Sequence, residues 1–482
     1  MDYTSFIKPD DMTSSIFDNI KNTIEDTLNE FKKFLLIQHV NVDLSGQLEN
    51  IKESCEIEEI SSDYTNFGKD YDVVVFPLFY NLSDNAKASA GHCLTYDKRP
   101  IAGFLLINQN LSFDLKNSDF YLKNVLLHEL SHVLVFNPII FDSLGMMITK
   151  DSVNYITSSK ALEKARQHFN CPSLTGIALE NQGDSSSAGS HWESQYMLGD
   201  YMISTDYDEY VISDITMALF EDSGFYKVNY YSGGLFKFGK NKGYNFLNKK
   251  CIENGTVLSE EFCMTSDQTM CSGSKTNKGY CEIYDYSIID VSIPEEYQYF
   301  PDPDEGGFEA ANFCPVSTTT SSSTDYFPDS CKVGTSSLVS DYGEKMGDNS
   351  FCFISSLLPT NSQHNSISQS ICYEVQCDST NKQIIVTVGS QRITCPTSGG
   401  ERTISGFKGS ITCPKYIDIC NFKSNVMRKD IYDCLSKKVE SDPDSYIYSQ
   451  NDEDIIRVGR SSAMNIKINY FIFLLLLFMI SN

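Results

Sequence analysis

Three residues within little more than one helical turn carry the chemistry of this chain: His128, Glu129 and His132, in the run Asn124-Val-Leu-Leu-His-Glu-Leu-Ser-His-Val-Leu-Val-Phe136. Residues four apart on an α-helix share a face, so both imidazoles can turn toward one ion while the carboxylate sits beside them. Two neutral nitrogens holding a metal, with a non-ligating carboxylate placed to take a proton from the water it activates, form the working set of a zinc hydrolase. Such a set needs a third ligand and a buried helix to hold it. The plainer alternative is a pair of core histidines, but a buried helix must then satisfy two imidazoles and a carboxylate one by one, where a metal ion answers all three together.

The elements needed to position these groups are legible nearby. Leu122, Val125, Leu126, Leu130, Val133 and Leu134 cover enough of the segment's circumference to bury it. Ser118 is the expected N-cap and Asn137-Pro138 the expected end. Upstream, Val73 to Phe79 and Ile101 to Asn108 read as buried strands, so a sheet should back the helix. Earlier still, Ile16, Ile20, Ile24, Leu28, Phe31, Leu35 and Leu36 form a helical stripe from Ser15, a serine N-cap, to about Leu36; core packing accounts for it. Cys93 lies between the two strands and is one possible partner for Cys55, a pairing that one sequence leaves open.

The chain's 482 residues set a prior of about three domains. A hydrophobic share of 41% and an aromatic share of 12% suffice for sizeable cores. The net charge of −26 argues against a nucleic-acid partner and against attraction to anionic lipid. Of 16 cysteines only Cys55, Cys93 and Cys171 precede residue 250; the remainder, Cys251 through Cys434, read as a disulfide framework made in an oxidising compartment. The rival zinc-knuckle reading needs tight, repeated cysteine pairs with two intervening residues, and none is present. Sequons at Asn81, Asn110 and Asn254 agree with secretion. The acidic, polar start at Met1-Asp2-Tyr3 has no signal peptide, and the cysteines favour a missing front over a cytosolic protein.

For the third ligand, His39, His92 and His364 lie in contexts without a metal signature, and His168 in Arg166-Gln-His-Phe-Asn170 reads as a polar face residue. His191 follows the glycine- and serine-rich approach from Gly183 to Ser190 and precedes Trp192, the only tryptophan. It is the candidate.

Ser190-His-Trp-Glu193, Met202 and the run Ile215-Thr-Met-Ala-Leu-Phe-Glu-Asp-Ser-Gly-Phe-Tyr226 together resemble the leishmanolysin family of metzincin-type zinc metalloproteases. In that family a long insertion splits the zinc motif before its third histidine, and a methionine turn underlies the metal. Here 59 residues separate His132 from His191, against about six in an unsplit metzincin motif. Ala161 to Pro172, Leu179-Glu-Asn-Gln-Gly183, Tyr297 to Pro303, Phe313-Cys-Pro315, Cys372 to Asp378 and Ile411 to Cys420 add to the resemblance, which runs from about residue 12 to 425.

The resemblance implies an α+β architecture: a metzincin-like catalytic part with a zinc helix backed by a sheet, a central mainly helical and loop insertion, and a disulfide-rich, mainly β C-terminal part. The expected boundaries are 1–137, 138–249 and 250–445, followed by an acidic linker and apolar tail at 446–482. It implies one Zn2+ held by His128, His132 and His191, Glu129 as general base and Met202 as the hydrophobic floor, in an endopeptidase acting on extracellular or surface proteins. Oligomeric state is not specified.

Two departures stand out. The family places glycine three residues after the second histidine, where this chain has Val135. A β-branched residue at positive φ is an outlier, so the helix is expected to run on to Asn137-Pro138 and turn there, with a shifted ligand or weaker zinc binding as the consequence to look for. The family's signal, inhibitory propeptide and first strand are also not seen. An adhesion protein that keeps the fold without turnover is the rival reading; Val135 favours it and Glu129 opposes it. At the other end, Ser461, Ser462 and Ala463, a short polar spacer and the 11 apolar residues from Tyr470 to Ile480 fit a glycolipid-anchor signal cleaved near Ser461 or Ser462, the alternative being a membrane tail that stays.

Overall fold

The computed structural model describes residues 1–420 except 62–63, 65–66, 83–85, 110–117, 183–187, 206, 208, 231–232, 235, 267, 290, 319–329, 333–337, 339 and 379. The sequon at Asn110, Ser83 of the first sequon, most of the approach to His191 and the whole C-terminal tail lie outside the described residues. Two compact units divide the chain: the first comprises Met1–Val228, Phe238–Gln268 and Cys281–Tyr326, the second Asn229–Lys237, Thr269–Tyr280 and the chain from Phe327 onward.

In the first unit, α1 (Ser14–Phe34) is capped by Thr13, two residues before the expected cap Ser15, and the Thr13 side chain accepts from the Ile16 N–H. Ile20, Ile24 and Phe31 form its buried stripe. The helix stops short of the expected Leu36 because Leu35 is already extended and opens β1 (Leu35–Ile37), which pairs antiparallel with Tyr226–Val228. After α2 (Leu48–Cys55) come β2 (Val74–Tyr80), β3 (Ala88–Tyr96) and β4 (Arg99–Asn108) in the sheet order β2-β4-β3. β2 runs parallel to β4, and β3 runs antiparallel to it. The two expected strands are β2 and β4. β3 went unread because Ala-Ser-Ala-Gly-His-Cys-Leu-Thr-Tyr lacks a β-branched apolar run and lies on the sheet edge, where mixed polarity is tolerated. Cys93 of β3 is disulfide-bonded to Cys55 of α2.

The sheet carries α3 (Ser118–Leu134), the helix of His128 and His132. Gly103 of β4 permits the close approach: a Cβ there would sit 2.5 Å from Cγ1 of Val133. Lys123 of α3 also bonds Glu30 of α1 at 2.7 Å. The helix begins at Ser118, whose side chain lies outside the described residues.

Its end differs from the expectation. α3 stops at Leu134, where the N–H groups of Val135 and Phe136 both bond the Ser131 carbonyl, at 3.0 and 2.8 Å. Val135 is fully buried and is not among the residues with positive φ. Asn137 is extended, as a residue before proline prefers to be, and its side chain accepts from the Ile139 N–H to cap α4 (Pro138–Ser143). The helix thus stops three residues before the anticipated Asn137, without a left-handed residue.

Beyond it, β5 (Met147–Lys150), β6 (Val153–Ile156), α5 (Ser159–Phe169) and β7 (Ile177–Ala178) build a small antiparallel sheet with one helix, followed by α6 (Ser194–Met197), α7 (Asp214–Asp222) and β8 (Tyr226–Val228). Asp222 of α7 accepts the N–H groups of Lys160 and Ala161 at 2.9 Å, satisfying the open first turn of α5. In the second unit, a six-stranded sheet takes the spatial order Gln391–Cys395, Gln383–Val388, Gln369–Asp378, Ser350–Ser355, Ile411–Cys413, Gly400–Arg402, antiparallel throughout. Ile371, Tyr373, Val386 and Ile411 form its core. All twelve described cysteines from Cys251 to Cys420 are paired, four of those six disulfides within this second unit. Among the described residues Cys171 is the one free cysteine, and it is buried.

Candidate metal centre

α3 presents His128 and His132 from adjacent turns, and the chain returns between β7 and α6 to set His191 against them. Nε2 of His128 lies 3.0 Å from Nε2 of His132 and 3.2 Å from Nε2 of His191. The three donor atoms all fall within 4.8 Å of one another. His191, the weakest assignment from the residues alone, is therefore brought to the other two.

The outward nitrogens show which way each lone pair points. Nδ1 of His128 faces the Tyr201 carbonyl at 2.8 Å, and Nδ1 of His132 faces the Phe136 carbonyl at 2.7 Å. Nδ1 of His191 lies 3.2 Å from a carboxylate oxygen of Glu180 and 3.2 Å from the Ser190 hydroxyl. Acceptors at Nδ1 favour the proton there, which turns the three Nε2 atoms toward one point. Burial, reinforced by the nearness of His191, pushes His128 down to about 3 and holds His132 well below its usual range, so both stay neutral. Three lone pairs aimed together repel unless a cation lies among them. Tetrahedral zinc with bonds of about 2.0–2.1 Å would set its nitrogens about 3.3 Å apart, close to what the rings provide. The donor set fits a divalent metal held by three imidazoles with a position left for water or substrate.

The turn that ends α3 belongs to this site. By stopping at Leu134, the helix places the Phe136 carbonyl where it receives His132, and with Val135 in place the three histidines still lie together. Glu129 sits beside them and accepts the Ala90 N–H of β3. Burial pushes its carboxyl up to about 8, a shift that a cation among the histidines would oppose.

Met202 is fully buried, and its carbonyl accepts the Trp192 N–H at 3.0 Å. The neighbouring residue, Tyr201, supplies the carbonyl for His128, and its hydroxyl meets Ser131 of α3 at 3.0 Å. A buried polar chain ties the two segments together: the Trp192 indole donates to Thr216 at 2.7 Å, Thr216 donates to Asp200 at 2.8 Å, and Asp200 accepts the Met202 N–H at 2.8 Å. Burial raises the Asp200 carboxyl to about 6. Reading the sequence missed Asp200, Thr216 and Glu180. Glu180 lay in the quoted run Leu179-Glu-Asn-Gln-Gly183 without a role, and the sole tryptophan signalled that some acceptor must meet its indole. The carbonyls of Tyr201 and Phe136 carry no side-chain signal at all.

A cleft of about 350 Å³ opens on this centre, bordered among others by Asn124, His128, Glu129, Ile203, Ser204 and Tyr210. Its wall includes Ala88, the first residue of the edge strand β3. An α+β scaffold, a convergent three-histidine set and an adjoining carboxylate at the base of a cleft define a metallohydrolase class of site.

Comparison with known proteins agrees. The leishmanolysin peptidase family matches residues 21–426, and the chain belongs to that family of metallopeptidases. It is 26% identical over 461 residues to a leishmanolysin homolog of Crithidia fasciculata, covering 90% of this chain and 68% of that protein. It is 30% identical over 323 residues to the leishmanolysin of Leishmania donovani, covering 63% of this chain and 53% of that protein. A leishmanolysin-like peptidase of Drosophila pseudoobscura pseudoobscura is 30% identical over 159 residues, covering 31% of this chain and 23% of that protein. The chain thus spans about half to two thirds of the length of the first two of these relatives.

Proposed function

We propose that the chain is a zinc-dependent endopeptidase of extracellular or surface proteins. The convergence of three imidazole nitrogens, each with its outer nitrogen engaged, is the observation that carries this reading. His128, His132 and His191 hold the zinc, which when bound supplies Lewis acidity toward a scissile carbonyl and toward water. Glu129, fixed by the Ala90 N–H, takes a proton from the attacking water and returns it to the leaving amine. Met202 packs beneath the centre as a floor, so its replacement should perturb the site without removing the metal. β3 lies at the sheet edge beside the cleft, a position suited to pairing with an extended peptide.

The full chain is expected to bind about one zinc and to cleave casein, with turnover lost on chelation. Glu129→Ala should keep the zinc and lose about 10²- to 10⁴-fold in rate. Stoichiometric zinc with no cleavage by the unmodified chain would sink the peptidase reading and leave the adhesion alternative standing.

The disulfide framework supports a secreted protein, and Asn254 sits exposed at the tip of the hairpin Ile252–Glu253/Thr256–Val257, open to glycosylation. We propose that the mature protein is held at the cell surface by a glycolipid anchor added near Ser461 or Ser462. Phospholipase C treatment of intact cells should then release it; a protein that stays with the membrane has kept its apolar tail instead.

A further inference from the structure

Of the three outer nitrogens, only that of His128 meets a backbone carbonyl from a distant segment. The Phe136 carbonyl reaches His132 from the end of the same helix, whereas the Tyr201 carbonyl reaches His128 from 73 residues away. A backbone carbonyl points where its residue is held. The value of this acceptor to His128 therefore depends on what fixes Tyr201.

Tyr201 touches α3 at a second point. Its hydroxyl lies 3.0 Å from the Ser131 hydroxyl, and both residues are buried, Tyr201 at 2% and Ser131 at 0% exposure. The Ser131 hydroxyl donates to the Leu127 carbonyl at 2.8 Å. A serine hydroxyl has one proton to give, so Tyr201 is the donor between the two hydroxyls. Ser131 follows His128 by three residues, which makes the two neighbours on the helix surface. The His128 contact alone would leave Tyr201 free to pivot about the helix; the second contact fixes its rotation as well. The Ser131 carbonyl also accepts the Val135 and Phe136 N–H groups at the helix end, where the Phe136 carbonyl meets His132. The supports of both helix-borne histidines thus meet at one serine.

We infer that the Ser131–Tyr201 hydroxyl pair is a positioning device for the metal centre: it fixes the carbonyl that orients His128 and so slows release of the ion. The inference rests on the zinc site of the peptidase reading and not on turnover. The pair acts through His128 and takes no part in the chemical step.

The test uses the full chain carrying Tyr201→Phe, which removes the hydroxyl and keeps the ring, then Ser131→Ala, then both. Zinc release to a competing chelator should quicken about 3- to 10-fold in Tyr201→Phe, less than the roughly 10- to 100-fold expected when a ligand's direct partner is lost. Ser131→Ala should do the same, and the double variant should add little, because one shared hydrogen bond is missing in all three. The rise in thermal midpoint that zinc confers should shrink in each. A role confined to packing would instead lower the metal-free and zinc-loaded midpoints equally and leave the release rate alone. That equal fall, an unchanged release rate, or additive effects of the two substitutions on release would overturn the inference while the peptidase reading stands. The expected release rates in a chain that cleaves nothing would sink the peptidase reading and uphold the positioning role. No zinc bound by the unmodified chain would overturn both.

Discussion

Glu180 distinguishes one of the three proposed ligands from the other two. His128 and His132 turn their outer nitrogens to backbone carbonyls, while His191 turns its own toward a carboxylate that Ser204 braces from behind at 2.5 Å. An anionic acceptor makes an imidazole a stronger donor than a carbonyl does and locks its tautomer. His191 arrives from a distant segment and lacks the rigidity that a shared helix gives the other pair, so it has most to gain from such a brace. Glu180→Gln is expected to speed zinc loss to a competing chelator about 10- to 100-fold with the fold retained. Loss at the original rate would mean that the Ser190 hydroxyl, at 3.2 Å, is a sufficient partner.

At the scale of elements, the end of α3 and the Met202 segment act as the frame. Val135 fills a fully buried position with an ordinary backbone conformation. Restoring the family's glycine there should gain nothing at the metal. Val135→Gly is expected to lower unfolding stability by about 2–4 kcal/mol through a cavity and added chain freedom, with zinc affinity unchanged; tighter zinc binding by the variant would reverse this assignment. The stretch Leu122–Ser143, which includes most of α3, holds an 18-residue window of mean hydropathy 1.3 and could cross a membrane by length and composition, but 56% of that window is buried inside the protein. Its apolarity serves packing around the histidines.

Asp200 gives this frame a pH dependence. Burial holds its carboxyl at about 6 in the folded chain, above the ordinary 3.8. The native state therefore binds this proton more tightly than the unfolded chain. Its contribution is most favourable below about pH 4 and is lost as pH rises through about 6, a swing of roughly 3 kcal/mol. Asp200→Asn lacks that titration, so the stability of the original chain relative to the variant should fall between about pH 4 and about pH 7 in denaturant titrations. A difference that stays constant across that range would remove Asp200 as its source.

Across the whole molecule, cysteine density pointed to the covalent framework, but its wiring came only with the fold. Cys352 and Cys372 stand directly opposite each other on paired strands, yet bond Cys271 and Cys331. Separations of 81 and 41 residues carry no preference that a linear reading can use. The same limit applies to the sheet beside the metal helix. β2 and β4 declared themselves through apolar runs, while β3, which supplies the Ala90 N–H to Glu129, is an edge strand of mixed polarity and was silent. Likewise Leu35 and Leu36 continue the helical stripe of α1 in sequence but leave the helix to pair with β8, because a partner strand outweighs local periodicity.

The sequence by itself determined the relation of His128, Glu129 and His132, because spacing along a helix is local and needs no knowledge of the rest of the chain. It also determined that the chain is an α+β, disulfide-rich member of a family whose third ligand comes from afar. Tertiary structure alone decided that His191 meets the pair at hydrogen-bond distance, and that carbonyls of Tyr201 and Phe136 and the carboxylate of Glu180 hold the three rings. Those contacts join segments up to 73 residues apart. Packing sets them, and packing is a property of the folded whole.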